Sequence, residues 1–342
     1  MSAVALESLP PDLRALVREH AAALVSDPTR DKRYLSTQLG GAVASYLSWK
    51  ENEYGAAAAT LDTYERILAR LCVAIDKPAD RVTLADLRTV RDDFPRSRRR
   101  LVTSVFRNFF EWLYTEEFIP ANPADRMRAP KRETAAIEGL FDDDEKRAIV
   151  AAQTDVMDRV GVLLLLRAGL RQGELRGMRV RDVNLIEKHI LVRRGKGGTP
   201  RTVPVKGELV RALEELMLTD VEGLARPRAR DEFLLCPKKG GGRSKERDPG
   251  KPMSKRGAHE WWYRCLQRAG LVEQGVTRGR RMHLSRHTYA TDLGRATGWA
   301  VAAVSKNLGH KSGRTTMDTY WHLMIEDQAE AVALLPEISE ES

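Results

Sequence analysis

Three prolines that follow a helix-periodic region constrain the fold of this chain more than any other feature of its sequence. Pro120, Pro123 and Pro130 interrupt helix formation, and Lys131 and Arg132 come directly after them. Proline fixes its own φ and lacks the backbone N–H that a helix needs, so this stretch predicts a stiff, basic connector. A chain of 342 residues is also long for one compact core. The sequence therefore predicts two domains.

The part before the prolines is predicted to be a small helical domain, over residues 39–130. Apolar residues recur at three and four positions in four segments, 41–49, 60–75, 83–92 and 98–114. The last segment carries one apolar stripe of Leu101, Val105, Phe109 and Leu113, with Val102, Phe106 and Phe110 beside it. Residues 1–38 are polar with one short helical pattern, which predicts an N-terminal helical appendage.

After a linker over residues 131–140, the pattern changes to a mixture of helices and strands. Two helical segments and two short strands around a glycine-rich turn are predicted, at 142–153, 159–168, 190–193 and 201–205. The predicted fold class is therefore mainly α with a small antiparallel β-sheet, an α+β arrangement. Residues 238–256 are rich in glycine and cations and lack apolar periodicity, which predicts either a mobile loop or a segment that DNA orders.

The net charge of the chain points to a polyanionic partner. The formal charge is +9 at pH 7, with 57 Lys and Arg against 48 Asp and Glu. Basic side chains that neutralise phosphates gain affinity by releasing condensed counterions, so nucleic acid is the leading partner. Charge alone does not exclude the alternative, a generally basic protein that has no nucleic-acid partner.

Five arginines crowd the start of the last helical segment of the first domain: Arg96, Arg98, Arg99, Arg100 and Arg107. The start of a helix is an unfavourable place for cations because of the helix dipole, so an anion such as phosphate would compensate. A solvated charged face is the alternative.

Cysteines and apolar runs exclude several classes of protein. The chain has 3 cysteines, Cys72, Cys236 and Cys265, without a CxxC pair, so the sequence predicts neither a disulfide framework nor a zinc site. The longest apolar run, 160–166, is too short to span a bilayer, and the N-terminus lacks a signal-peptide pattern. We expect a cytoplasmic protein in a reducing compartment, with no membrane contact.

An arginine at the junction of two helices is the first candidate for chemistry. In the segment RAGLRQGEL, one helix is predicted to end at Gly169 and another to start near Gln172, which leaves Arg171 between them. An arginine there can present its planar fork to phosphate oxygens, and Glu174 can fix its orientation. Taken alone, an ordinary surface Arg–Glu pair is the commoner explanation.

The glycine-rich turn between the two strands carries Lys196, with Arg193, Arg194 and Arg201 beside it. A lysine at such a tip can enter a groove and donate a proton to a leaving alkoxide. Most turn lysines are simply solvated, so this signal is weak by itself.

The segment MHLSRHTYAT places His283, Arg286 and His287 three and four residues apart, and therefore on one helix face. Two histidines at this spacing suggest a metal, but the arginine would repel a cation, so phosphate fits better. Further along, His310 follows a predicted helix end at Gly309, and Tyr320 lies in the next helix. Tyr320 alone would be a packing residue. The order of these residues along the domain changes that expectation.

Taken together, these motifs resemble those of the tyrosine recombinase, or phage integrase, family. The resemblance is carried by RAGLRQGEL, the hairpin lysine Lys196, HLSRH, LGH and TMDTYWH, which are similar to the catalytic boxes of that family. It covers a catalytic domain over 141–323 and, more loosely, the helical region 39–130, which is similar to the family's core-binding domain. Residues 1–38 lack the strand pattern of an accessory arm-site DNA-binding domain.

The resemblance implies that Arg171, Arg286 and His310 bind the scissile phosphate and stabilise the charge of the transition state. Glu174 would orient Arg171. The family needs neither a metal nor a high-energy cofactor, because a covalent enzyme–DNA bond conserves the energy of the phosphodiester. We therefore expect no cofactor here.

The resemblance also implies that Tyr320 attacks phosphorus and forms a 3′-phosphotyrosyl link. Lys196 would protonate the departing 5′-oxygen, and His283 would be the base that takes the phenol proton. His287 would support the helix rather than react. Of the cations predicted to contact DNA, Lys131 and Arg132 lie in the linker, and the others are the arginines of the first domain and of the hairpin.

The implied architecture is a C-shaped clamp of two domains around duplex DNA. Four protomers would exchange strands at attachment sites through a Holliday junction, with an accessory directionality factor or a host bending factor as a further partner. Residues 324–342, a C-terminal helix and an acidic tail, are predicted to contact a neighbouring protomer, or alternatively their own domain.

The predicted function is a site-specific integrase that inserts or excises a mobile element in the nucleoid. A chromosome-dimer resolvase or a transposon recombinase would use the same active-site residues, so these alternatives stay open. A DNA-binding protein that does not cleave would be expected to lack Tyr320 or an active-site arginine, and all of these are present. A type IB topoisomerase shares the chemistry, but the separate helical domain argues against it.

Overall fold

The structure is a computed structural model of the chain. It describes residues 33–131, 137–193, 200–218, 228–238, 246–273, 280–310 and 312–333. The chain divides into two compact units at residues 133 and 134. Several predictions fall outside the described residues, namely those on most of the N-terminal appendage, on Arg132, Arg194 and Lys196, and on the acidic tail.

The first unit consists, in its described part, of helices and short 3₁₀ turns. Four α-helices follow one another, α1 (Gly40–Asn52), α2 (Ala58–Ala74), α3 (Leu84–Asp92) and α4 (Arg96–Thr115). Thr83 caps α3 by accepting a hydrogen bond from the backbone N–H of Asp86 at 3.2 Å. The predicted helical domain is thus a helical unit whose helices lie close to the predicted segments.

Helix α4 supplies much of the core of the first unit. Val105, Phe109 and Leu113 are buried as the stripe predicts, and so are the residues of the neighbouring stripe. Leu101 is the exception, because 44% of its surface is exposed. Residues four apart rotate by about 40° around a helix, so over three steps the stripe turns away from the core.

The second unit combines helices with one small sheet. Its helices before the sheet are α5 (Asp143–Ala151), α6 (Val156–Ala168) and α7 (Gln172–Gly177). Helix α6 is buried on almost all sides and packs against helices that come later in the chain. This burial explains the apolar run at 162–166, because a helix that is covered on all sides needs no polar face.

The sheet has three antiparallel strands in the order β1-β2-β3, with bounds β1 (Val183–Asn184), β2 (His189–Val192) and β3 (Arg201–Pro204). Ile190 pairs with Val203, and both are fully buried, so one face of the sheet packs on the core. The prediction of a mainly α fold with a small antiparallel sheet is confirmed.

The remaining helices are α8 (Glu208–Leu218), α9 (Lys255–Arg268), α10 (Met282–Ala296), α11 (Val301–Leu308) and α12 (Gly313–Ala333). The segment from 238 to 256 is not structureless where it is described. Arg247 forms a buried ion pair with Asp155, and Ser254 caps α9. Apolar periodicity is lacking here because ion pairs and a helix cap hold the described residues of the segment. No helix in the described ranges is long and apolar enough to cross a membrane.

Candidate active site

The position of Arg171 depends on how α6 ends. Gly169 adopts a left-handed conformation with φ of 59°, which terminates the helix. A Cβ atom at this position would lie 2.2 Å from a ring atom of Tyr289, so no larger residue fits without a shift. The chain therefore turns sharply at Gly169, and Arg171 lies directly before α7 as the sequence predicts.

Glu174 connects the arginines of the site. Its carboxylate is 1% exposed and accepts hydrogen bonds from the backbone N–H and Nη1 of Arg171, at 2.8 and 2.9 Å. Both of its oxygens also accept from the guanidinium of Arg201, at 2.8 Å each. Burial alone would raise the pKa of Glu174, but the hydrogen bonds from Arg201 and Arg171 lower it to about 2. The carboxylate is therefore ionised at neutral pH.

The C-terminal end of α11 is the second anchor for these arginines. The carbonyl oxygen of Leu308 accepts from Arg286 at 2.5 Å and from Arg171 at 3.3 Å. The carbonyl oxygen of Asn307 accepts from Arg201 Nε at 2.8 Å. The last carbonyls of a helix lack intrahelical partners and carry its partial negative charge, which suits cations. Three guanidinium groups are thus fixed before any ligand binds.

Arg286 is the most deeply buried of these arginines, with 2% of its side chain exposed. It donates to the carbonyl of Gly169 at 2.6 Å and lies 3.9 Å from Glu174. Burial, followed by the charge of Arg171, lowers its pKa to about 10. The guanidinium therefore remains charged at neutral pH, in surroundings that would favour an added anion.

His310 follows the left-handed Gly309 that ends α11. Its Nδ1 lies 2.7 Å from Oγ1 of Thr316, which in turn lies 2.8 Å from Oγ of Ser305. Burial, followed by the charges of Arg286, Arg171 and Arg201, lowers the pKa of His310 to about 4. The ring is neutral at pH 7 and can donate a hydrogen bond from its other nitrogen. Sequence reasoning missed Thr316, which orients this ring.

Tyr320 lies in α12 and is 1% exposed. Its Oη lies 3.0 Å from Nδ1 of His287, across the packing of α12 on α10. Burial raises the pKa of Tyr320 to about 12, and the nearby charge of Arg286 opposes that shift. The sequence predicted His283 as the base, yet the hydrogen-bond partner of Tyr320 among the described residues is His287. His283 packs edge-on against His287, with ring centroids 4.6 Å apart.

The structure places Arg201, which was predicted to contact DNA, in the buried network around Glu174. Its side chain is 8% exposed and donates hydrogen bonds to the carboxylate of Glu174 and to the carbonyl oxygen of Asn307. Arg201 is the first residue of β3. Arg193 is half exposed and pairs with the buried carboxylate of Asp182.

The arginines at the start of α4 serve partly as structural donors. Arg99 donates to the backbone carbonyls of Phe94 at 3.0 Å and Asp92 at 2.7 Å, which compensates for its unfavourable place at a helix start. Arg100 donates to the carbonyl of Pro130 at 3.1 Å. The other predicted contacts of this unit, Arg96, Arg98, Arg107 and Lys131, are exposed.

A concave basic surface in the first unit escaped sequence reasoning. It encloses about 1020 Å³ and is lined mainly by arginines, namely Arg88, Arg91, Arg107, Arg126 and Arg128, with Asp125 among them. The spacing of Arg88 and Arg91 on one face of α3 was a usable signal. Arg126 and Arg128 lie in the loop after α4, where periodicity gives no guidance.

Within the described ranges, no group of three or more His, Cys, Asp or Glu residues is placed to hold a metal ion. Cys72, Cys236 and Cys265 are buried thiols. The clustered side chains of the second unit are instead cationic groups around a buried tyrosine, an arrangement suited to a phosphate and a nucleophile.

Comparison with known proteins agrees with this chemistry. Residues 138–326, more than half of the chain, match the model of the phage integrase family. The fold and the site define a DNA breaking and rejoining enzyme of the tyrosine recombinase class. The chain belongs to the phage integrase family.

Individual relatives cover most of the chain. Tyrosine recombinase XerC of Escherichia coli O8 is 29% identical over 300 residues, which cover 84% of this chain and 93% of XerC. The Tn1549 transposon integrase in complex with transposon right end DNA has a similar fold, with a TM-score of 0.65 and 18% identity over 85% of this chain and 99% of that one. A lambda integrase dimer bound to a COC′ core site has a TM-score of 0.60 and 17% identity over 80% and 96% of the two chains.

Proposed function

We propose that this enzyme is a site-specific recombinase that integrates or excises a mobile element, with Tyr320 as the nucleophile. The observation that carries the proposal is the convergence of Arg171 and Arg286 on Glu174 and on the end of α11, next to a buried tyrosine. Among the described residues, Glu174 is the one carboxylate shared by Arg171, Arg201 and Arg286, so the cluster has an excess of positive charge that a DNA phosphate would offset.

The two arginines and His310 would bind the scissile phosphate of duplex DNA. Because Glu174 and the carbonyls of α11 already hold the guanidinium groups, little reorganisation is needed when the phosphate becomes pentacoordinate. Burial, followed by repulsion from Arg171, lowers the pKa of Arg286 in the free enzyme, and an added anion would offset both effects. Electrostatic preorganisation of this kind stabilises the transition state more than the ground state.

In the cleavage step, Oη of Tyr320 would form a bond to phosphorus while the bond from phosphorus to the 5′-oxygen breaks. The phenol proton passes to a histidine of α10, and Lys196 would protonate the leaving 5′-oxygen. The reverse reaction with a partner strand restores the phosphodiester without ATP. Four protomers on two duplexes would carry out the exchange through a Holliday junction.

The C-terminal helix supports the proposed assembly of protomers. Helix α12 continues to Ala333 and leaves Trp321, Ile325 and Val332 exposed by 54%, 47% and 64%. Apolar side chains in a row on a helix surface are typical of a contact with another chain. We propose that this row contacts a neighbouring protomer on DNA.

The arginine-lined concave surface of the first unit supports a second DNA contact. Arg88, Arg107, Arg126 and Arg128 are exposed there, and phosphate contacts of this kind position a protein on a duplex without reading its sequence. The proposed ligand is the DNA backbone beside the cleavage site.

A resolvase role is the second candidate. XerC matches at 29% identity, against 18% and 17% for the transposon and lambda integrases. Recombination between two sites on one replicon, with no insertion into new DNA, would favour this role over integration.

The test is incubation with supercoiled DNA that carries candidate attachment sites, in EDTA and without ATP, followed by a denaturing gel. We expect a covalent protein–DNA adduct that Tyr320→Phe abolishes. Tyr263→Phe is a matched control, because it removes another buried hydroxyl that has no hydrogen-bond partner among the described residues. An adduct that survives in Tyr320→Phe, or none with DNA that the protein binds, would contradict the proposal.

A further inference from the structure

We propose that His287 is the catalytic residue that accepts the proton of Tyr320 during cleavage and returns it during rejoining. This inference rests on the proposed function, because it takes Tyr320 as the nucleophile. It replaces the expectation that His283 is the base and that His287 only supports its helix.

The geometry favours His287 directly. Its Nδ1 lies 3.0 Å from Oη of Tyr320, and the two rings are tilted by 62° with centroids 5.8 Å apart. A general base must lie within hydrogen-bond reach of the proton that it removes, and this pair meets that condition before DNA binds. Because Tyr320 is 1% exposed, its proton has to pass to a protein group rather than to bulk water.

The surroundings keep His287 in the form that can accept a proton. Burial, followed by His283 and Arg286 on its own helix and by His310 after α11, lowers its pKa to about 4. From α12, the hydroxyl of Tyr320 contacts Nδ1 of this ring. The imidazole is therefore neutral at pH 7, and in the tautomer that carries its proton on Nε2, Nδ1 accepts the hydrogen bond of the phenol.

Binding of the scissile phosphate would strengthen this base when it is needed. The phosphate would lie against Arg286, whose positive charge adds to burial in disfavouring the protonated imidazole of His287 in the free enzyme. A negative charge there stabilises the imidazolium, so the proton affinity of His287 rises with substrate bound. Without DNA the proton affinity of His287 stays low, so Tyr320 keeps its proton until the substrate binds.

The balance of the step is simple. The Oη–H bond breaks and its proton goes to Nδ1 of His287, while the electron pair of Oη forms the bond to phosphorus. The bond from phosphorus to the 5′-oxygen breaks, and that oxygen takes a proton from Lys196 as proposed above. His283 packs edge-on against the ring of His287, with centroids 4.6 Å apart.

The experiment compares two substitutions with different chemistry. His287→Ala removes the ring, whereas His287→Asn keeps an acceptor oxygen near the position of Nδ1 but cannot take a proton at neutral pH. His259→Asn, the same substitution on α9, is the control. Single-turnover formation of the covalent adduct is measured from pH 6 to 9 on a nicked suicide substrate, with DNA affinity measured in parallel.

We expect both variants to bind DNA like the wild type and to cleave about 10²- to 10⁴-fold more slowly at pH 7. Their rates should rise with pH, because Tyr320 must then be ionised before it attacks, and imidazole should rescue His287→Ala but not His287→Asn. His259→Asn should match the wild type.

Two results would overturn the inference. One is wild-type cleavage by His287→Asn with an unchanged pH profile, which would make His287 a positioning residue only. The other is a loss in both variants that neither pH nor imidazole relieves. Failure of the wild type to form an adduct would instead refute the proposed function, so the two failures are distinguishable.

Discussion

Replacement of Arg201 tests whether the network around Glu174 holds the active site together. Arg201→Met keeps the length of the side chain but removes two hydrogen bonds to Glu174 and one to Asn307, each 2.8 Å long. Breaking one partner of a buried ion pair costs about 3–5 kcal/mol, because the remaining charge stays buried. Glu174 is 1% exposed and retains only Arg171 as a strong partner.

The expected loss corresponds to a fall in Tm of about 6–20 °C for a unit of about 200 residues. Thermal unfolding followed by circular dichroism measures it, and adduct formation should fall with it because Arg171 loses its fixed carboxylate. Arg256→Met is the matched control, since Arg256 pairs with Glu260 on the surface with 90% of its side chain exposed. That change should have almost no effect.

A double-mutant cycle with Glu174→Gln separates the pair from its surroundings. The double variant should be less destabilised than the sum of the single variants, because neither charge is then left without its partner. Unchanged Tm in Arg201→Met, or strictly additive losses in the cycle, would refute the reasoning that the pair is buried and coupled.

Three further predictions concern the turn, the carboxylate and the basic surface. Gly169→Ala should lower both Tm and cleavage rate, because its left-handed φ and the contact with Tyr289 leave no room for a Cβ; an unchanged Tm would contradict this. Since the pKa of Glu174 is lowered to about 2, its stabilising effect is present above its unfolded value near 4.5 and is lost as pH falls towards 2, so Glu174→Gln should flatten acid unfolding curves there. Arg126→Ala and Arg128→Ala should each weaken binding to any duplex and reduce the slope of log affinity against log salt by about 1, and equal slopes would argue against phosphate contact.

Much of the fold was predictable because helical periodicity is local. The stripes of α4 predicted a helix whose buried face includes Val105 and Phe109, as observed. The short strands followed from β-branched residues around a glycine-rich turn. Leu101 shows the limit of the pattern, since the burial of a stripe residue near the end of a helix depends on whether another element packs against that turn.

The sequence indicated which residues come together at the candidate site, but it did not indicate which of them contact each other. Spacing put His283, Arg286 and His287 on one face of α10, yet only the packing of α12 decides which ring meets Tyr320. Arg201 was assigned to DNA because a hairpin cation is usually exposed. Its partner Glu174 lies 27 residues earlier in the chain, and no local pattern links them.

The most direct test of the account is to identify the amino acid that carries the DNA. The covalent adduct is digested with nuclease and protease, and the modified peptide is sequenced by mass spectrometry. We predict a nucleotide attached through its 3′-phosphate to Tyr320. A nucleotide on any other residue would contradict the central claim that the buried tyrosine beside His287 and Arg286 is the nucleophile.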